Sequence, residues 1–262
     1  MGHNYDLLLP LHSQLDITNR VAVSDYFHKN MPEIVIHSAA FSQVDMAENE
    51  SEECYRVNVD GTRFVAEAAE CINAYVIYIS TDYVFNGEKD SAYKTDDIKS
   101  PLSVYGQTKS DAEDIVLKAS EKNLVVRTSW LFGPSKNNFV EAILRAAATR
   151  SVLNVVNDQM GSPTYAFDLA NVLQDFLSIR PNHILHVTNE GVCSRAEFAR
   201  EIIKTAGISC LVNEVSSDDY PSVAKRPCNS QLDTSALDAL GIPRLPYWKE
   251  SLVNYFATRK DL

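Results

Sequence analysis

The sequence holds no glycine-rich loop: its nine glycines are scattered, and the first two are Gly2 and Gly61. A phosphate cradle of closely spaced glycines at the head of a helix is therefore absent. Basic runs are missing as well. The formal net charge is −11, and no stretch of Lys and Arg could neutralise a row of phosphates, which argues against nucleic acid as a partner. A dinucleotide or a sugar nucleotide stays admissible, since local backbone amides and one or two cations suffice to hold it. The five cysteines, Cys54, Cys71, Cys193, Cys210 and Cys228, form no C-x-x-C pair, and the histidines form no ligand-spaced cluster. Reduced, mostly buried thiols in a reducing compartment are expected, and no catalytic metal. Long apolar runs are lacking too. Leu7-Leu8-Leu9 breaks at Pro10, too short for a signal peptide or a membrane span. A cytoplasmic protein is the expectation.

What is present is an alternation of short apolar runs with longer helical patterns. Residues 4–9, 33–37, 75–80 and 124–128 read as strands. Residues 18–30, 50–71 and 104–119 read as helices, the first capped by Thr18. Ile34-Val35-Ile36 is apolar without a break, as a sheet covered on both faces requires. The alternation predicts a doubly wound parallel sheet with right-handed crossovers. Later stretches at 138–149, 166–178 and 194–206 are helical, with short extended pieces at 153–156 and 184–187. The boundaries expected are a main domain over 1–156 and a smaller lobe over 157–262, from which the chain crosses back to the main sheet. The acidic run Glu48, Glu50, Glu52 and Glu53 opens a helix, where it complements the dipole and faces solvent. His37, at a strand end, reads as a satisfied core histidine.

Chemistry concentrates in Tyr105-Gly106-Gln107-Thr108-Lys109. On a helix, positions i and i+4 share a face, so the phenol and the ammonium can point into one cleft. A free phenol has a pKa of about 10. A neighbouring cation favours its ionised form and makes it a better proton donor, which is what reduction of a carbonyl by hydride needs. Ser80-Thr81 ends an apolar strand, and ligands of open α/β sheets bind outside the carboxyl ends of strands. Thr81 thus supplies a hydroxyl on the side of the sheet where Tyr105 is expected.

Thr81, Tyr105 and Lys109 resemble the catalytic set of the extended short-chain dehydrogenases/reductases, and Asn58-Val59-Asp60-Gly61-Thr62 resembles their N-V-x-G-T helix motif. Narrower stretches resemble the dTDP-4-dehydrorhamnose reductase family: Leu15-Asp16-Ile17-Thr18, Ser80 to Phe85, Arg127-Thr128-Ser129-Trp130, Asn138-Phe139-Val140, Asp158 to Thr164, and Arg226-Pro227. The likeness runs from about residue 2 to 258. It implies a Rossmann-like α/β fold and NAD(P)H-dependent reduction of the C4 keto group of a dTDP-4-keto-6-deoxy sugar. It implies that Thr81 and Tyr105 hold and protonate the C4 oxygen, and that Lys109 binds the nicotinamide ribose. Asp16 and Ile17 would lie beside the adenine, and Ala39, Ala40 and Phe41 would contact the cofactor. Asp82, Trp130 and Arg226 would contact the dTDP-sugar, Arg226 at its diphosphate. Tyr83 follows Thr81-Asp82 where related dehydratases carry Glu, so reduction is favoured over water loss.

One departure matters. The family opens with a strand and G-x-x-G-x-x-G, and this sequence aligns from just before the second strand. The expectation is a Rossmann-like sheet lacking its first strand and glycine-rich loop, with weakened NADPH or NADH binding. Pro10-Leu11-His12-Ser13 carries no acid to demand a free ribose 2′-hydroxyl, which mildly favours NADPH. The alternatives are a non-catalytic nucleotide-sugar-binding or regulatory subunit on the same fold, and an inactive truncated fragment. A homodimer is compatible with the chain.

Overall fold

The computed structural model describes residues 5–135 and 137–259. Four parallel strands form the main sheet, β1 (Ile34–His37), β2 (Tyr75–Thr81), β3 (Leu124–Thr128) and β4 (His183–His186), paired in that order. Alternate residues along β2 and β3 point to opposite faces. Val76, Tyr78 and Val125 pack under Val23, Phe27, Val65, Ala69, Ala112 and Val116. Tyr75, Ile77, Leu124 and Val126 pack against Leu169, Val172, Phe176 and Leu185. Helices Arg20–Asn30, Thr62–Cys71 and Val104–Ala119 thus cover one face, and helix Ala166–Ile179 the other. Apolar runs such as Tyr75–Ile79 are a consequence, since neither face of an interior strand meets water.

The second core joins helices Phe139–Ala147, Arg195–Thr205 and Trp248–Arg259 to a two-stranded parallel ribbon, Val152–Val156 with Leu211–Val215. Phe132, Phe198, Trp248 and Tyr255 fill it. Between these pieces the chain returns to the main sheet through β4.

Three sequence expectations need correction. The strand expected over residues 4–9 does not form: its described part, from Tyr5 onward, is irregular and exposed, while Asn4 lies outside the described residues. A strand needs a neighbour to take its N–H and C=O groups, and none of the main-sheet strands pairs with it. Helix Arg20–Asn30 is capped by Asn19, whose Oδ1 accepts from Ala22 N at 3.1 Å, rather than by Thr18. The helix expected over 50–71 is three consecutive pieces, Ser51–Tyr55, a π-helical stretch Arg56–Gly61, and Thr62–Cys71. Wider turns of this kind are frequent at functional sites.

Two smaller differences follow. Glu48 does not simply face solvent, because its carboxylate accepts from the Val104 N–H at 2.8 Å and so helps cap helix Val104–Ala119. Of the five free cysteines only Cys54 and Cys193 are buried. No helix among the described residues is long and apolar enough to cross a membrane.

Candidate active site

The site forms where β2 ends and helix Val104–Ala119 begins. Ser103 caps that helix through Gly106 N at 3.1 Å. Gly106 sits against the Asp82–Val84 turn so closely that an added Cβ would lie 2.3 Å from the Tyr83 carbonyl oxygen. Glycine is required there because the backbones touch, and this contact sets Tyr105 beside the strand end. The Tyr105 ring meets Tyr83 edge-on at 6.0 Å.

Thr81 has two jobs. Its Oγ1 accepts from Tyr83 N at 3.2 Å, capping the turn, and donates to Asp82 Oδ1 at 3.0 Å. The same hydroxyl lies near the Tyr105 phenol and favours its ionised form. Burial pushes the Tyr105 proton affinity above that of a free phenol; Thr81 works against this, while the negative charge of Asp82 adds to it. Tyr105 therefore stays protonated at neutral pH.

Lys109 shares the helix face but does not turn to the phenol. It is 3% exposed, donates from Nζ to the Ile79 carbonyl at 2.7 Å, and lies 4.1 Å above the Tyr78 ring. Burial lowers its pKa to about 7, opposed by Glu113 one turn further on. The expectation that this cation lowers the Tyr105 pKa is thus corrected: burial decides the sign, and Lys109 is occupied elsewhere.

Asp82 is buried, and its Oδ2 has no hydrogen-bond partner. Burial raises its pKa to about 6, against the pull of Ser230, Thr81 and Arg195. A buried acceptor left open beside Thr81 and Tyr105 suits a hydroxyl donor from a ligand. Trp130 follows buried Ser129 and holds a left-handed backbone, φ 46°, which costs a residue other than glycine on the order of 1–2 kcal/mol. Gly161 lies flat against its indole, where a Cβ would come within 2.5 Å of Cε2. Arg226 is half-buried and pairs with Asp45 at 2.7 Å.

The residues expected at the cofactor lie toward β1. Asp16 turns back to accept from Thr18 N at 2.9 Å and Thr18 Oγ1 at 2.8 Å, and these bonds hold its carboxyl below the usual range. Ile17 packs over Gly61. Ala39 is exposed, and Ala40 and Phe41 are half-buried, at the exit of β1. Asn58, on the π-helical stretch, clamps Phe41 through both backbone groups, accepting from its N–H at 2.7 Å and donating to its carbonyl at 3.1 Å. The same amide donates to Thr108 Oγ1 at 3.0 Å, and Thr108 Oγ1 donates to the Tyr105 carbonyl at 2.8 Å. This relay ties the β1 exit loop to the helix that carries Tyr105. His37 is a core histidine, bonded through Nε2 to Thr62 Oγ1 at 2.9 Å and held neutral by burial.

Sequence reasoning missed the buried Glu113–Arg127 pair. Arg127 Nε and Nη2 donate to the two Glu113 oxygens at 2.9 and 2.8 Å, and Ser80 Oγ donates to Glu113 Oε1 at 2.6 Å. A charged residue inside the apolar run Leu124–Thr128 was the available signal, since such a charge must find a partner. Arg195, whose guanidinium lies 3.5 Å above the Trp130 ring, gave none.

A parallel sheet covered by helices on both faces, with hydroxyl, phenol and ammonium gathered at the carboxyl end of one interior strand, defines a Rossmann-like α/β protein. The chain belongs to the family described as the RmlD substrate binding domain, whose model matches residues 2–260. It is 41% identical to the dTDP-4-dehydrorhamnose reductase of Aggregatibacter actinomycetemcomitans, covering 95% of this chain and 89% of that one. It is 36% identical to the Bacillus subtilis spore coat polysaccharide biosynthesis protein SpsK, over 98% of this chain and 90% of that one. Among solved structures it superimposes with a TM-score of 0.94 on the Bacillus anthracis dTDP-4-dehydrorhamnose reductase crystallised with NADP, at 37% identity, covering 97% of this chain and 90% of that one.

Proposed function

We propose that this chain is an NAD(P)H-dependent oxidoreductase that reduces the C4 keto group of a dTDP-4-keto-6-deoxy sugar, dTDP-4-dehydrorhamnose to dTDP-rhamnose, in deoxysugar biosynthesis. The relatives named dTDP-4-dehydrorhamnose reductase and the NADP-bound neighbour support the reaction and the cofactor. The observation that carries the reading is the buried Tyr105 phenol, kept protonated by burial and sensitive to the neighbouring Thr81 hydroxyl, at a strand end where Asp82 Oδ2 is left open.

Bound NAD(P)H supplies the hydride. Tyr105 delivers the phenolic proton to the C4 oxygen, and Thr81 holds that oxygen in line. Asp82 takes a hydroxyl of the hexose. Lys109 fits the nicotinamide ribose on the chemistry of its donors: an ammonium has three N–H groups, and the Ile79 carbonyl uses one. A ligand oxygen there also relieves part of the burial that lowers the Lys109 pKa to about 7. Ala39, Ala40 and Phe41, the last fixed by Asn58, would hold the cofactor with Lys109, and Asp16 and Ile17 would contact its adenine. Trp130 and Arg226 contact the sugar nucleotide. The pyrophosphate of the cofactor has no glycine-rich turn to receive it in this sequence. In this reading residues 1–156 carry the cofactor side and 157–262 the smaller substrate lobe, with β4 returned to the main sheet. The cytoplasm is the compartment, in keeping with five free thiols, and a homodimer the assembly.

The test is a coupled assay with the dTDP-4-keto sugar and NADPH, followed by loss of nucleotide absorbance. Replacing Tyr105 by Phe should lower kcat about 100- to 10,000-fold, the usual share of a positioned general acid. Wild-type rates in that variant would strip Tyr105 of its role. Titration of NADPH fluorescence in parallel separates a chemical defect from a cofactor that does not bind.

A further inference from the structure

One row of the main sheet is polar where the row before it is apolar. Ser80 on β2, Arg127 on β3 and His186 on β4 stand in register, and all three are buried. Ile79, Val126 and Leu185 form the apolar row before them, and Thr81 pairs with Thr128 in the row after, at the carboxyl end of the strands. Ser80 is also the last residue of β2 on the face that helix Val104–Ala119 covers, since Val76 and Tyr78 precede it there at spacings of two. From that helix Glu113, 0% exposed, reaches the polar row. It accepts from Ser80 Oγ at 2.6 Å and from Arg127 Nε and Nη2 at 2.9 and 2.8 Å. Arg127 carries the contact onward: its Nη1 donates to the Thr95 carbonyl at 3.2 Å and stands 3.3 Å from His186 Nε2.

Tyr105, Lys109 and Glu113 are spaced by four on one helix and so share a face. Each meets one of the last three residues of β2. Tyr105 lies near Thr81, Lys109 donates to the Ile79 carbonyl at 2.7 Å, and Glu113 accepts from Ser80. The helix is thereby fastened to the strand at the two turns that follow the phenol. A buried ion pair is an inefficient way to fill a core, because apolar residues of similar volume often serve stability as well. What apolar residues cannot do is fix a hydroxyl. The Ser80 bond is of the short, charge-assisted kind, and Ser80 is covalently joined to Thr81. Two nitrogens of Arg127 offset the carboxylate, so what the pair contributes at Thr81 is geometry rather than charge.

We propose that Glu113 is a positioning residue for the reduction: by holding Ser80 it sets where the Thr81 hydroxyl stands relative to the Tyr105 phenol. It acts through Ser80, with Arg127 fixing the carboxylate from β3. This rests on the reductase reading for the reaction, while the link itself rests on the bonds among Glu113, Ser80 and Arg127. A displacement of about 1 Å at a reacting group can cost about 100-fold in rate, so a small shift of Thr81 suffices to show in turnover.

The experiment is a mutant cycle on the full chain with two readouts. One is steady-state kinetics with NADPH and the dTDP-4-keto sugar. The other is the NMR signal of Tyr105 in protein labelled at the tyrosine Cζ carbons, assigned by its loss in Tyr105→Phe. Ser80→Ala cuts the link and keeps the ion pair. Glu113→Leu/Arg127→Met cuts it from the other side, strands neither charge of the pair, and leaves Lys99 its Asp114 partner at 2.6 Å. A third chain combines all three changes. Each of the first two should lower kcat about 10- to 100-fold and move the Tyr105 signal. KM for both substrates should stay within about twofold, as loss of an interaction made only in the transition state requires. The combined chain should lose no more than the worse of the two, because both break one link. Losses that multiply in the combined chain, or a rise in KM in place of the fall in kcat, overturn the proposal and leave the reductase reading standing. A Tyr105 signal unmoved in both variants overturns it too. A wild-type chain without reductase activity, whose Tyr105 signal moves in each variant and no further in the combined chain, supports the link and takes the reaction from the reductase reading.

Discussion

Strand β2 has two very different flanks. On one side lies β3, fully buried, with Arg127 locked into Glu113 and Ser80 beneath the reaction centre. On the other side lies β1, which pairs with nothing else in the main sheet and leaves Ile36 open to water. Thr81, Asp82, Tyr105 and Trp130 belong to the firm flank. Asp16, Ala39, Ala40 and Phe41 belong to the open one, where the Asn58 amide holds Phe41 and Asp16 turns back on Thr18, with no sheet beyond. On the proposed reading, the difference teaches that the groups assigned to proton transfer and to the sugar are organised before any ligand arrives, whereas those assigned to the cofactor have less structure behind them. Preorganisation of polar groups is what makes them effective in catalysis.

The comparison can be broken at several points. The largest effect is expected at the buried ion pair. Arg127→Met leaves Glu113 as a buried charge short of its main partner, and loss of one member of such a pair costs about 3–5 kcal/mol. Urea unfolding followed by circular dichroism measures it; a loss below about 1 kcal/mol would mean that this flank is not the rigid one.

Next come two isoleucines that face each other in register across β1 and β2, Ile36 and Ile77. Ile77 is 0% exposed and Ile36 is 44% exposed. Ile77→Ala should cost about 2–5 kcal/mol, the range for a large core aliphatic. Ile36→Ala should stay within about 0.5 kcal/mol, as surface changes do. Equal losses at the two positions would show that the β1 edge is covered in solution.

The smallest effect is in the pH dependence. His37 on β1 and His186 on β4 are each pushed down to about 3 by burial. An unfolded histidine takes its proton near pH 6.5, so below that pH the unfolded chain binds more protons and stability falls as pH falls. From pH 7 to pH 6 each should remove less than about 1 kcal/mol, read as a lower melting temperature. Proton NMR of the two rings sharpens the contrast between flanks. Both should remain neutral down to acid pH; a His37 that titrates normally while His186 does not would mean that the edge strand opens to water and the inner one does not.

Much of this molecule was legible in its order of residues. Helix Val104–Ala119 and strand Leu124–Thr128 fall where periodicity puts them, because a long amphipathic stretch and a short buried run each have one low-energy conformation. Tyr105 and Lys109 fall on one helix face because spacing on a helix fixes direction. The strand expected at residues 4–9 was lost because its pattern specifies extended chain without supplying a neighbour to pair with. Asn58 could be recognised within a motif, yet its clamp on Phe41 depends on a wide helical turn that no local preference announces.

The sequence by itself determined most of the main helices and the four strands of the sheet, that the sheet is parallel, and which hydroxyl, phenol and amine stand near one strand end. These follow from spacing and from the cost of exposing apolar surface, both local or periodic properties. Only the tertiary structure decided how those groups are charged and what they touch: Lys109 turned to Ile79, Tyr105 kept protonated, Asp82 left with an open oxygen, and Arg195 laid over Trp130. Charge state is set by burial and by neighbours distant in sequence, and those exist only once the chain has closed on itself.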